Sequence, residues 1–332
     1  MSASVPLRPP TAVPTSRELS PAERDQLAAL GERVSAHPVR EPERFCRQAR
    51  ALAREVPAAV VERLWEFEEN GSDSGVLVLH GLETGEVPPT PGDNSAGLGG
   101  ATLLGRQQAV LSHALGHMVG YAAEAHGHLL QDMVPNRRLA TAQQSQGSRV
   151  ELEAHTEQCF SALRPDYVVL GCLRGDADAA TYAFRGADLA AHFSAEDLLE
   201  LYRPLWTTLV DESFADFLDT REVRGPFPIL SGDADDPVLL VDQDLMHGIT
   251  ARAQALLQRV LEVYVAHRSA VVLRPGDVLF LDNLRAMHGR SPFAPRFDGT
   301  DRFITRGFVV RDLRRSRFAR PGGQRVVRAS FS

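Results

Sequence analysis

The sequence predicts a mainly β protein, a sandwich or barrel flanked by helices, and three observations carry that prediction. From about residue 149 onward short strand-like runs recur, near 149–157, 166–173, 179–184, 270–273, 277–282 and 302–311. Loops rich in Gly, Pro and Asp separate them, with helical stretches near 195–203 and 249–268; many short strands split by turns are the pattern of sandwiches and barrels. No repeat, coiled coil or G-x-G-x-x-G after a strand is present, so a doubly wound nucleotide fold has little support.

The elements before that region are mostly helical. Residues 1–18 are rich in Pro and Ser and read as a flexible tail or strap. At Ser20-Pro21-Ala22-Glu23 a helix begins: Ser is the N-cap, Pro takes the first helical position, and Glu can reach back in a capping box. Two more helical stretches follow, about 41–54 and 57–69. The run GVLVLHGL (75–82) reads as a buried strand, and a Gly/Pro-rich loop (85–100) leads to a long helix, about 104–124. The expected organisation is a single domain over 19–332, with a helical layer at about 19–72 and a β core at about 75–332. The polar, turn-rich stretch 210–237 is either a lid or an ordinary surface excursion.

Composition narrows the partners. The 332 residues are 43% hydrophobic, enough to bury a sizeable core. The net charge is −7, from 43 acidic and 36 basic residues, and every basic residue is Arg. A modestly acidic chain is not built to hold a nucleic-acid backbone or an anionic membrane. Cys46, Cys159 and Cys172 are scattered without C-x-x-C spacing, which argues against a disulfide framework or zinc knuckle and for reduced thiols. No apolar run follows a basic start, and none approaches the ~18 residues of a spanning helix. A cytoplasmic protein is expected.

Within the strand near 149–157, His155 and Glu157 are two apart and point to one face. Alone, such a pair is also what a solvated strand edge presents. A third group lies in RPGDVLFLDNLRAMHGRSPF (274–293): a turn, a short buried strand, then His288 beside Gly289, which permits close backbone approach. Two His and one carboxylate with open positions form the facial triad of non-heme Fe(II) oxygenases, leaving room for a chelating co-substrate and O2. In DRFITRGFVV (301–310), Arg302, Ile304, Arg306, Phe308 and Val310 alternate onto one face. Two arginines among apolar neighbours are costly unless each meets an anion, and guanidinium takes a carboxylate in bidentate fashion.

H-T-E, then about 130 residues, then His with Arg at +14 and +18, resembles the Fe(II)/2-oxoglutarate dioxygenases. More narrowly, the chain resembles the clavaminate-synthase-like hydroxylases of free asparagine, arginine or lysine, and the lysine enzymes most. The stretches HGHLLQDMVP (126–135), HTEQCFSALRPDYVVLGCLRGD (155–176), PILSGDADDPVLLVDQDLM (228–246), GDVLFLDNLRAMHGRSPFAPRFDGTDRF (276–303) and RDLRRSR (311–317) carry the likeness, which runs from about residue 40 to the end. It implies a distorted double-stranded β-helix, the cupin-like jelly roll, with helical flanks. It implies Fe(II) on His155, Glu157 and His288, and 2-oxoglutarate on Arg302 with the Thr181 hydroxyl. Arg306 falls where the family holds the substrate carboxylate, Glu124 where it meets the α-amino group, and Asp242 and Asp244 where the side chain is read. Two acids two apart favour a cationic side chain; alternatively they cap the helix near 249. Retention of Glu157 favours hydroxylation over halogenation, and L-lysine at C3 or C4 is the expected substrate.

Other signals are weaker. His113 and His117 in HALGH lack the glutamate of a zinc protease and read as helix-surface residues. His126 and His128 either line a pocket or only pack, and Cys159 and Cys172 read as buried fillers. The rival functions are hydroxylation of arginine, citrulline, asparagine or pipecolate, or a desaturation; a jelly-roll protein that binds without turnover; and a zinc hydrolase, for which no general base beyond the ligands is evident.

Overall fold

In the structure, a computed structural model that describes residues 14–331, strand β1 (Thr15–Glu18) precedes helices α1 (Pro21–Arg33), α2 (Pro42–Leu52) and α3 (Ala58–Asn70). Strand β2 (Val76–His80) leads to α4 (Leu103–Leu115), then β3 (His117–Tyr121), β4 (Leu130–Met133), β5 (Leu152–His155), β6 (Tyr167–Arg174) and β7 (Ala180–Arg185). Helix α5 (Ala195–Leu201) comes before β8 (Trp206–Thr208), β9 (Arg224–Phe227), β10 (Leu230–Gly232), β11 (Pro237–Leu239) and β12 (Met246–Gly248). Helix α6 (Ala251–His267) is followed by β13 (Ser269–Val272), β14 (Val278–Asp282), β15 (Ala286–Arg290), β16 (Phe303–Val310) and β17 (Val326–Val327).

Two sheets dominate. The larger runs β1-β2-β14-β6-β16-β3-β17, with β4 also on β16; the smaller runs β13-β7-β15-β5. Strand alternation decides the layering. Leu77, Leu79, Val278, Phe280 and Val169 leave one face of the large sheet and pack with Leu27, Phe45, Val60 and Leu64 of the helices. Their neighbours Val76, Val78, Leu279, Leu281 and Val168 leave the other face and pack with Ala183 and Val271 of the small sheet. Tyr182, Phe184 and Met287, on the outer face of the small sheet, meet Leu257, Val260 and Tyr264 of α6. The order is therefore helices, large sheet, small sheet, α6. Each fully buried Leu, Val or Phe contributes roughly 1.5–3 kcal/mol of transfer free energy, and both faces of the large sheet are covered.

The sequence expectations meet this structure with several changes. The capping box holds: Ser20 Oγ accepts from Glu23 N, and Glu23 takes the Ser20 amide at 2.9 Å. Of the proposed tail, residues 1–13 lie outside the described residues, while Thr15–Glu18 is a strap that adds in parallel to β2. The helix expected over 104–124 stops at Leu115. A Cβ on Gly116 would come within 2.8 Å of the Val310 carbonyl, so the backbones close there and the chain runs on as β3, paired to β16. His113 is not on a helix surface but buried, because α4 is packed between the N-terminal helices and the large sheet. His117 is half-buried at the start of β3. Cys46, Cys159 and Cys172 are buried free thiols. Among the described residues, no helix is long and apolar enough to cross a membrane.

Candidate active site

His155 and His288 lie opposite one another in the β5–β15 pairing, which brings their ring centroids to 4.2 Å. That pairing needs Gly289: a Cβ there would meet Leu152 O at 2.5 Å and the Tyr264 hydroxyl at 2.8 Å. Glu157 lies beyond the end of β5, yet its carboxylate returns to the same place, and one ligand atom from each of the three residues falls within 4.8 Å of the others. His155 Nδ1 is 2.8 Å from the Glu153 carbonyl, which only accepts, so Nδ1 is the N–H donor and Nε2 is the ring nitrogen available to a metal. Burial, and then the charges of His155 and Arg306, hold the His288 imidazole well below its usual titration range, so this ring is neutral. Two imidazoles and a carboxylate fit a divalent first-row ion such as iron.

Arg306 lies next to this group on β16. Its Nη1 donates to both Glu157 oxygens at 3.2 Å, and its Nη2 donates to Glu124. Gln131, directly opposite on β4, accepts from Arg306 Nε at 2.9 Å and from Nη2 at 2.6 Å. Burial alone would lower the guanidinium pKa, but the Glu124 and Glu157 charges outweigh it and raise it. Glu124 is pushed up to about 7 by burial, against the pull of Arg306 and with Glu157 adding to the rise. Gln158 donates to Glu124 at 3.0 Å. The two residues expected to take the two ends of a zwitterion are thus paired to one another.

Arg302 differs from Arg306 in having no counterion. It is 7% exposed and lines the cavity, and among the described residues it makes no ion pair or hydrogen bond; its guanidinium carbon lies 5.8 Å from the Phe293 ring centroid. Burial lowers its pKa, opposed only by the Cys172 thiol and Asp176. Arg290, pushed down to about 9 by burial and by Arg302, bonds only carbonyls, those of Ser145, Gly147 and Ser291. Thr181, opposite Arg290 on β7, lines the same cavity. Two buried guanidiniums without a carboxylate define an anion-seeking end.

The cavity measures about 390 Å³ and also reaches Asp242 and Asp244. The two acids do not cap α6; Thr250 does that, accepting from Ala253 N. Asp242 Oδ1 instead accepts from the Asp244 and Leu245 amides at 3.0 and 2.8 Å, and burial pushes its carboxyl up to about 6. Asp244 is exposed at the rim, near enough to Glu153 to help raise that carboxyl after burial does. Asp211, Phe214, Asp216 and Phe217 also line the cavity, while Phe214 packs edge-on to Phe160 at 5.0 Å. His126 lines the cavity and His128 does not. The sequence reading missed Gln131, Gln158, Glu153 and Arg290. Gln131 shows in the sequence only as one of two polar residues in the short strand LQDM; that it faces Arg306 is decided by the β4–β16 pairing.

A model of the taurine catabolism dioxygenase TauD, TfdA family matches residues 232–308. An L-lysine 3-hydroxylase of Catenulispora acidiphila is 48% identical over 95% of this chain and 89% of its own. Clavaminate synthase 2 of Streptomyces clavuligerus is 31% identical over 87% of this chain and 90% of its own. Among solved structures, an asparagine oxygenase in complex with Fe(II), hydroxyasparagine and succinate superimposes with a TM-score of 0.88, at 30% identity, over 94% of this chain and 99% of that one. With a close relative spanning nearly its full length and the histidine–carboxylate–histidine group at its centre, the chain belongs to the TauD/TfdA dioxygenase family, in the clavaminate-synthase-like group of amino-acid hydroxylases.

Proposed function

We propose that this protein hydroxylates free L-lysine at C3, using Fe(II), 2-oxoglutarate and O2. The observation that carries the reading is one cavity holding the convergent His155, Glu157 and His288 at its centre and the buried, unpaired Arg302 beyond them. His155 (through Nε2), Glu157 and His288 would hold the iron. When bound, iron couples oxidative decarboxylation of 2-oxoglutarate by O2 to insertion of one oxygen atom into a C–H bond of the amino acid, giving succinate and CO2. Arg302 takes the far carboxylate of the co-substrate as a bidentate pair, with Thr181 as a further donor. The two sheets are the halves of a distorted double-stranded β-helix; His155 and His288 lie on the inward face of the smaller one, and Glu157 follows just past the end of β5.

The amino acid's α-carboxylate meets Arg306 and its α-ammonium meets Glu124. One internal ion pair is thereby exchanged for two with the substrate, and no charge is left buried alone. Asp242 and Asp244 face the side-chain ammonium, and the segment around Phe214 and Phe217, within a lid at about 210–237, limits water. The 48% identity to an L-lysine 3-hydroxylase supports lysine and C3 over arginine, asparagine, citrulline or pipecolate.

The test is a mass-spectrometric screen of purified protein with Fe(II), ascorbate, 2-oxoglutarate and O2 against free L-amino acids, ornithine, citrulline and pipecolate. L-lysine should gain one oxygen at C3 with equimolar succinate. Oxygen gain on neutral amino acids alone would overturn the roles of Asp242 and Asp244. No succinate with any of them would overturn the enzyme reading.

A further inference from the structure

We infer that Asn283 is the positioning residue that makes Glu157 a metal ligand. The inference rests on the metal reading above and extends it to a side chain outside the cavity. Strand β5 ends at His155, so no ladder bonds from a neighbouring strand fix the backbone of Glu157. The next residue, Gln158, has φ +52°, a left-handed conformation that L side chains adopt at a cost, so the chain turns sharply straight after the ligand.

Something must hold Glu157 against that turn, and the Asn283 carboxamide does so from both sides. Its Oδ1 accepts from the Glu157 amide at 2.6 Å, and its Nδ2 donates to the Glu157 carbonyl at 3.1 Å. The same Nδ2 donates to the Pro165 carbonyl at 2.8 Å, and the Asn283 amide donates to the Asp166 carbonyl at 2.9 Å. The side chain is 0% exposed and every polar atom is paired. It replaces, on one residue, the pair of bonds that a strand neighbour would supply.

The position of Asn283 gives the clamp its consequence. It lies in the turn between β14, of the large sheet, and β15, which carries His288. That turn is itself fixed: Asp282 Oδ1 accepts from the Leu284 and Arg285 amides, and Arg285 is tied to the Glu68 and Glu69 carbonyls and to Asp236. Asn283 therefore joins the backbone of one ligand to the turn that leads to another. It sets the distance between Glu157 and His288, as residues behind metal ligands do.

Mn(II) binding to the full-length protein, followed by the electron paramagnetic resonance of free Mn(II) without 2-oxoglutarate or amino acid, tests this. Asn283→Ala loses the clamp. Asn283→Asp keeps the volume and the acceptor but sets an anionic oxygen against two carbonyls. Both should raise the Mn(II) dissociation constant by roughly 10- to 100-fold. The control is Gln108→Ala, which removes an equally buried carboxamide bonded to Val169 O, Thr305 O and Thr305 Oγ1 but to no metal ligand. It should leave the Mn(II) affinity unchanged. Wild-type affinity in both Asn283 variants, or an equal loss in the Gln108 variant, would overturn the inference. If Asn283→Ala does not fold, Asn283→Asp carries the test. Failure of the wild-type protein to bind Mn(II) would instead refute the metal reading beneath it.

Discussion

Arg302→Met should make the protein more stable and nearly blind to 2-oxoglutarate at once. The guanidinium is 7% exposed and has no counterion among the described residues, so in the absence of an anionic ligand it is an uncompensated buried charge. Exchanging even a buried ion pair for apolar side chains often gains about 1–4 kcal/mol, and a lone buried charge lacks the Coulomb attraction that offsets desolvation in a pair. Loss of the contact with the Phe293 ring takes back about 0.5–1 kcal/mol. A net gain of up to about 3.5 kcal/mol remains. At ~2 cal/mol/K of unfolding entropy per residue, this chain gains about 1.5 °C per kcal/mol, so the melting temperature should rise by up to about 5 °C. Two charge-assisted hydrogen bonds to a carboxylate, each about 1.5–3 kcal/mol, are lost from co-substrate binding. Their joint loss of about 3–6 kcal/mol corresponds to roughly 150- to 25,000-fold in the 2-oxoglutarate dissociation constant. Differential scanning calorimetry of the ligand-free protein and calorimetric titration with 2-oxoglutarate measure the two effects separately. A variant that melts lower and still binds 2-oxoglutarate would refute the reasoning. A variant whose defect lies in the amino-acid KM would show that Arg302 and Arg306 have each other's roles.

Two further perturbations follow from the same cavity. Because burial lifts the Glu124 carboxyl to about 7, it is charged above that pH and neutral below it, and only the charged form pairs with an α-ammonium. The amino-acid KM should therefore rise at least about tenfold from pH 8 to pH 6 while the 2-oxoglutarate KM stays level, and Glu124→Gln should remove most of that slope, leaving the roughly twofold part due to Asp242, which is lifted to about 6; a level wild-type profile would contradict the role. Asp242→Asn and Asp244→Asn preserve shape but remove charge, so selectivity for L-lysine over norleucine, read as the ratio of kcat/KM values, should fall about 10- to 100-fold in at least one of them. An unchanged ratio in both would move side-chain recognition elsewhere in the cavity.

The family and its residue types were legible because they depend on spacing along one chain. Arg302 and Arg306 are four apart and reach one cavity, as period-2 geometry predicts; His155 and Glu157 are two apart but not on one strand, since β5 covers only Leu152–His155 of the expected 149–157 and Glu157 is returned to the site by other contacts. The N-terminal capping box was legible for the same reason, since its partners are three residues apart. Helix α4 was overextended because its end is decided at Gly116 by the approach of Val310, nearly two hundred positions away. His113 looked like a surface residue because helical periodicity cannot report that a helix is covered on more than one side.

The sequence by itself determined the residue types of the site and the alternation that divides each strand between two faces, and with it the inward turn of His155, His288 and the arginines. Only the tertiary structure decided how those groups are satisfied. It paired Arg306 with Glu124 and Glu157 but gave Arg302 no anion among the described residues, a contrast that identical side chains four residues apart cannot announce. It turned Asp242 and Asp244 from candidate helix caps into the wall of a cavity, because Thr250 already caps α6. It also brought Asn283 onto the backbone of Glu157 from 126 positions away. Charge and periodicity are local properties of a chain; the partner that neutralises a charge, and the clamp that holds a ligand, exist only once distant segments are packed together.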